Sequence, residues 1–248
     1  MAEMQWLTFK KGVFCALRPP LWHLLALRVA PAIEHIAALS RFSFRTVVDV
    51  GGNRGQFAAN ARRLFPMAQI YSFEPLAGPA TSFINALGRD GKIRLFNNAI
   101  GPVAGSAPIY VTTRDDSSSL LKPGTAQSEI FGVQTERVDQ ITVRRLSDCI
   151  SNAELQAPAL LKVDVQGGEL DVLEGSADLI AGFDAIYVEC SYLQLYEDQP
   201  LYADIARWAD GHGFRLAGVY NQHVDALRGP VQADFLFLRA EPSTGAGK

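Results

Sequence analysis

No run of roughly eighteen consecutive apolar residues occurs in these 248 residues, so no membrane-spanning helix is expected. Residues 21–39 come nearest, but Arg28, Pro31, Glu34 and His35 interrupt them. A secretory leader is not expected either, because the first apolar run, 13–17, is short and leads into Arg18-Pro19-Pro20. Cysteine is scarce: Cys15, Cys149 and Cys190 are odd in number and far apart, which excludes a disulfide framework or a zinc site and fits a reducing cytoplasm. There is no block of lysine or arginine and the net charge is −3, so a nucleic-acid backbone is excluded as a partner. No Gly-Lys-Ser/Thr loop is present to cradle a triphosphate. The dinucleotide fingerprint G-x-G-x-x-G fails as well: counted from Gly51, it needs glycine where Asn53 and Gln56 stand.

What the chain does have is Thr46-Val47-Val48-Asp49-Val50-Gly51-Gly52-Asn53-Arg54-Gly55-Gln56. A β-branched strand ends in an acid and enters a glycine-rich turn, and a helical pattern follows. Such a turn lets a ligand approach the backbone, and the helix N-terminus offers free N–H groups. Asn53 replaces a middle glycine because Asn tolerates the left-handed conformation. About twenty residues on, Tyr71-Ser72-Phe73-Glu74-Pro75 ends a second strand in an acid suited to a ribose diol. A carboxylate at Asp49 repels a pyrophosphate but tolerates a ligand with an amino group and a sulfonium, of which S-adenosylmethionine is one. An ordinary βα turn is the bland alternative.

Being 48% hydrophobic and 20% charged, the chain has enough apolar residues for one large α/β core. Strand signals fall near 46–50, 69–74, 93–97, 159–165, 184–190, 214–220 and 232–239, and helical ones near 54–65, 77–87, 168–181 and 200–212. The alternation predicts a doubly wound, mostly parallel seven-stranded sheet. The helix-free link 221–231 makes the last two strands antiparallel. Residues 1–44 form an N-terminal helical segment, with one or two amphipathic helices over 4–40; loose association of this segment with a membrane surface stays open. Residues 45–240 form the domain. Within it, 105–145 is aperiodic and polar between strand-like runs at 107–112 and 141–145, which suggests a β-hairpin insertion with a mobile tip above the cleft. The tail, 241–248, is expected to be disordered.

Over about residues 45–240 the chain resembles the FkbM family of S-adenosylmethionine-dependent methyltransferases. The resemblance rests on six blocks in order: Val48 to Phe57; Ser72-Phe73-Glu74-Pro75; Asn98-Ala99-Ile100-Gly101; Ser117-Ser118-Ser119-Leu120; Leu161-Lys162-Val163-Asp164-Val165-Gln166-Gly167-Gly168-Glu169; and Ala233-Asp234-Phe235-Leu236-Phe237. Gly52 stands where alanine is common and Gly168 where a larger residue is common, and neither change removes a polar group. The resemblance implies a class I (Rossmann-like) fold and O-methylation of a sugar, glycolipid or natural product. A non-catalytic cofactor-binding protein and a nicotinamide-dependent oxidoreductase are the rival readings.

In a doubly wound sheet the ligand lies beyond the carboxyl ends of the strands. Expected cofactor contacts are Asp49, Gly51, Gly52, Asn53, Gly55, Gln56, Glu74, Pro75, Asn98, Ala99 and Asp164. Methyl transfer to an alcohol also releases a proton, so a base helps. Asp164, Glu189 and His223 are the candidates. Asp164 ends a buried strand, and its alternative roles are an ion pair with Lys162 or a helix cap. Glu169 is as well placed to cap the next helix as to serve the site. Ser118, Ser119 and Gln166 are candidate acceptor contacts. His23, His35 and His212 lack acidic companions at ligand spacing, so no metal site is expected; Asp164, Glu189 and His223 form the only set weighed against that. The acceptor and the oligomeric state are not legible.

Overall fold

The computed structural model describes residues 2–240. Its strands are β1 (Thr46–Val50), β2 (Gln69–Phe73), β3 (Ile93–Phe96), β4 (Ala99–Ile100), β5 (Gly105–Thr112), β6 (Thr135–Arg144), β7 (Ala159–Val163), β8 (Ala185–Ser191), β9 (Phe214–Asp225) and β10 (Gly229–Arg239). Its helices are α1 (Ala2–Ala16), α2 (Trp22–Ala26), α3 (Ile36–Leu39), α4 (Gln56–Leu64), α5 (Ala77–Leu87), α6 (Thr125–Phe131), α7 (Glu169–Gly175) and α8 (Tyr202–Gly211).

Every residue of β1 and β7 is buried, as expected for central parallel strands covered on both faces. Successive side chains therefore enter opposite cores. Val48 and Val50 pack with Phe73, Val163, Phe183 and Trp208 on one side. Val47 joins Phe57, Ile70, Leu160, Tyr187 and Leu236 on the other. Burying each such side chain stabilises by roughly 1.5–3 kcal/mol.

The seven-stranded sheet has the order β3-β2-β1-β7-β8-β10-β9, and β10 runs antiparallel to both of its neighbours. The chain thus winds outward from β1 in one direction and from β7 in the other. The crevice between their carboxyl ends is the topological switch point, where open α/β sheets bind ligands. This is the expected class I arrangement.

Three expectations need correction. The link 221–231 is mostly strand. β9 and β10 form a long hairpin whose turn is tied by Asp225 Oδ1, which accepts from the N–H groups of Leu227 and Arg228 at 3.0 and 2.9 Å. The helix expected over 168–181 stops at Gly175, and residues 177–182 form a 3₁₀ segment. A Cβ at Gly175 would lie 2.4 Å from the Gly101 carbonyl oxygen, so this helix end sits against the loop after β4. The insertion is the β-hairpin expected, but its tip is packed rather than loose. β5 and β6 pair antiparallel, β4 joins β6, and α6 lies between them. Its tip packs down: Tyr110 and Ser119 exchange backbone hydrogen bonds, and Gln127 is buried. At seven residues, about two turns, α6 is too short to show a readable period.

The N-terminal segment holds α1, α2 and α3 and lies on the sheet's second core through Leu24, Val29, Ala38 and Leu39. The Ala32 N–H donates to the Gln56 carbonyl at 2.9 Å, joining this segment to the start of α4. No helix among the described residues is long and apolar enough to cross a membrane. The tail expected to be disordered lies outside the described residues.

Candidate active site

A cleft of about 280 Å³ opens at the carboxyl ends of β1, β2 and β7. Its first wall is the turn after β1. Gly51 has φ +83, Asn53 φ +44 and Gly55 φ +97, so the asparagine takes the left-handed place expected of it. The space beside Gly51 is filled by protein: a Cβ there would lie 1.8 Å from the Asp164 carbonyl oxygen. Glycine therefore lets β1 and β7 converge at this point. The N–H groups of Gly51 and Gly52 both donate to the Phe73 carbonyl, at 3.0 and 2.9 Å.

Glu74 ends β2 and faces this turn. Its Oε2 accepts from the Asn53 N–H at 2.9 Å and its Oε1 from the Leu76 N–H at 2.8 Å. It is only 6% exposed, and burial pushes its carboxyl up to about 7 against the pull of those two bonds. Each oxygen keeps a lone pair for a ligand hydroxyl. Its role is thus double, since it holds the turn as well as facing the cleft.

Beneath the cleft lies a buried charge cluster. Lys162 Nζ stands 3.1 Å from Asp49 Oδ1, 3.8 Å from Asp164 Oδ2, and donates to the Gly51 carbonyl at 3.0 Å. Burial disfavours its charge, but Asp49 and Asp164 outweigh that and raise it above the ordinary lysine value. Asp49 is fully buried and also accepts from the Ser72 hydroxyl at 3.2 Å. It does not line the cleft, so the expectation of a direct ligand contact fails: its charge is already matched by Lys162.

Asp164 differs from the buried carboxylate expected of it. Its side chain is 35% exposed and lines the cleft, with Oδ1 accepting from the Gln166 amide at 2.8 Å. That amide also donates to Glu189 Oε2 at 2.9 Å. Tyr196 Oη lies 3.1 Å from Gln166 Oε1 and 3.0 Å from the Ser117 carbonyl, and it accepts from Gln127 at 3.0 Å. Gln166 has φ +63 and Gly167 φ +105, and the Gly167 backbone fits against the Tyr196 ring. Glu169 lies outside the cleft, where its Oε1 accepts from the Gly167 and Val165 N–H groups at 2.9 and 3.2 Å, so it braces the turn before α7.

Among the other expected residues, Gly52, Gln56, Pro75, Ala99, Ser118 and Ser119 line the same cleft. Ser119 Oγ donates to the Gln166 carbonyl at 2.6 Å and Ser118 Oγ accepts from the Thr112 N–H at 3.2 Å. Gly55 stands behind, its backbone close to Leu87 and Phe83. Asn98 turns away into a second cleft beside Cys149 and Arg144, its amide donating to the Ala99 carbonyl at 2.8 Å. Glu189 does not line the cleft. It sits behind Gln166, also accepting from Gln232 at 2.7 Å, and burial beside Asp164 and Asp234 pushes its carboxyl well above the ordinary value. His223 lies within β9 opposite Gln232, its ring 5.0 Å from that of Phe131, and not in the cleft.

The sequence reading missed the far wall. Lys11, Glu34 and His35 line the cleft from the N-terminal segment, with Lys11 and Glu34 paired at 2.7 Å. His35 meets Asp234 of β10, a partner that no linear spacing could indicate. Arg54 and Asp115 form a salt bridge from the glycine turn to the insertion.

A family model described as the methyltransferase FkbM domain matches residues 49–216. The 2-O-methyltransferase NoeI of Sinorhizobium fredii is 33% identical over 160 residues, covering 62% of this chain and 66% of that protein. Methyltransferase 1 of Beauveria bassiana is 30% identical over 150 residues, covering 53% and 58%. The chain spans less than two thirds of the length of these relatives. Among solved structures, a putative tRNA (m1A22) methyltransferase from Streptococcus pneumoniae superposes with a TM-score of 0.49 at 12% identity, covering 86% of this chain and 72% of that one.

Proposed function

Since the chain belongs to the FkbM methyltransferase family, we propose that it transfers a methyl group from S-adenosylmethionine to a hydroxyl oxygen on a sugar, glycolipid or other small molecule. The observation that carries this reading is Glu74, a buried cleft carboxylate tied to the left-handed turn at Asn53. That pairing supports a ribose-diol site, since Glu74 would offer acceptors beside the backbone turn, with no phosphate-binding sequence nearby. The cofactor would supply an electrophilic methyl on a cationic sulfur. Glu74 would take the ribose hydroxyls, and the turn 51–53 the chain between ribose and amino acid. Ala99 and Ile100 would border the base, and Asp164 the amino group. Ser118 and Gln166 would face the acceptor, and the packed insertion would keep water from the reacting atoms. The NoeI name supports a hydroxyl acceptor.

The test is thermal unfolding with S-adenosylhomocysteine, S-adenosylmethionine and NAD, for the wild type and Glu74→Gln. A ligand at a hundred times its dissociation constant stabilises by about 2.7 kcal/mol, a shift of roughly 5–10 °C for a domain of this size. Both adenosyl ligands should shift the wild type, NAD should not, and the shift should shrink in Glu74→Gln. The glutamine keeps an acceptor for Asn53, whereas alanine would also release the turn. A shift with NAD alone would overturn the reading.

A further inference from the structure

His35 closes the 3₁₀ turn Ile33–His35, and its side chain is 13% exposed. The ring is wedged edge-on between Phe57, centroids 5.3 Å apart, and Tyr187, 5.5 Å apart. Its Nδ1 lies 3.2 Å from Asp234 Oδ2 and 3.0 Å from Tyr187 Oη. The same carboxylate oxygen accepts from Tyr187 Oη at 2.8 Å and from the Asn221 amide at 2.7 Å. Burial would raise Asp234, but the bonds from His35, Asn221 and Tyr187 hold it below the ordinary value, so it is a carboxylate. The Tyr187 hydroxyl spends its only proton on Asp234, so facing His35 it is an acceptor. These two acceptors stand nearer Nδ1 than the Asn221 amide, 3.4 Å away, which assigns the proton of the neutral ring to Nδ1 and the lone pair to Nε2, for which no hydrogen-bond partner is found among the described residues. His35 lines the same cleft as Glu74 and Asp164.

We propose that His35 is the general base of the reaction, with Asp234 as its positioning residue; this rests on the methyl-transfer reading above. The acceptor oxygen forms a bond to the methyl carbon, the carbon–sulfur bond breaks with its electron pair left on sulfur, and the hydroxyl proton passes to His35 Nε2 and then to water. Asp234 fixes the tautomer and faces the imidazolium that forms. The candidates read from sequence are less free to act. Asp164 is engaged by Gln166 and Lys162, Glu189 is hidden behind Gln166, and His223 lies outside the cleft. The charged and titratable groups around His35 are Asp234 of β10, Tyr187 of β8, the Lys11–Glu34 pair and Lys162 of β7.

The experiment is nitrogen NMR of the full chain labelled at histidine, with His35→Gln identifying the resonance, beside calorimetric titration with S-adenosylhomocysteine. The expected result is an Nδ1-protonated ring with bare Nε2 in the wild type. Asp234→Asn should mix the tautomers. His35→Gln should bind S-adenosylhomocysteine within about threefold of wild type. For any methyl glycoside that the wild type turns over, His35→Gln should lower kcat at least about 100-fold with little change in KM. An Nε2-protonated ring, or equal kcat in the variant, would overturn the base. Failure of the wild type to bind S-adenosylhomocysteine would instead overturn the methyl-transfer reading.

Discussion

Several acids in this molecule share a chemistry but differ in their surroundings. Asp49, Glu74, Asp164 and Glu169 all follow or end strands, yet only Glu74 and Asp164 reach the cleft. Asp49 is spent on Lys162, and a buried ion pair broken on one side leaves a charge that costs about 3–5 kcal/mol. Glu169 braces a turn, and burial pushes it up to about 7 from 4.5. In the unfolded chain it titrates near the lower value, so between the two the native state binds more protons than the unfolded one. Its contribution to stability is therefore complete below about pH 4.5 and is lost as pH rises toward 7. The melting temperature of the wild type should fall more steeply from pH 5 to 7 than that of Glu169→Gln, whose amide oxygen still accepts from both N–H groups. Parallel slopes would remove Glu169 as the source.

At the scale of elements, the decisive contact is between the ends of β1 and β7. Gly51 holds φ +83, and a Cβ there would lie 1.8 Å from backbone of the neighbouring strand end. Gly51→Ala cannot be relieved by rotating a side chain. It should destabilise by at least about 2 kcal/mol, read as a lower urea midpoint at unchanged m-value. A loss below about 0.5 kcal/mol would mean that the strands part easily. The motif was legible because strand, turn and helix are local features. β1 reads as a run of β-branched residues, and the glycines and Asn53 announce positive φ. α6 and the inner ends of the β9–β10 hairpin, 221–225 and 229–231, were not legible, since short segments take their structure from what they pack against.

For the whole molecule, the cleft is assembled from three regions distant in sequence. The glycine turn and strand ends make the floor, the insertion one side and the N-terminal segment the other. Tyr196 locks two of them, with its buried hydroxyl shared among Ser117, Gln127 and Gln166. Tyr196→Phe should cost about 1–3 kcal/mol, the penalty of leaving buried polar partners unmatched, measured by urea unfolding. A neutral outcome would show that the insertion is held by its apolar contacts alone. Nothing local in the sequence foretold this lock, because Tyr196 reads as an ordinary core aromatic until the insertion closes on it.

The sequence by itself determined the class of fold, the family and the two strand-end motifs carrying Asn53, Glu74 and Asp164. These depend on periodicity, backbone permissiveness and residue order, all written along the chain. Only the tertiary structure decided which carboxylates reach the cleft, that Asn98 and His223 turn away from it, and that His35 meets Asp234. Those outcomes follow from side-chain burial and from the antiparallel insertion of β10, which sets Asp234 beside Tyr187 and Asn221 and so gives a histidine near the start of the chain its partner.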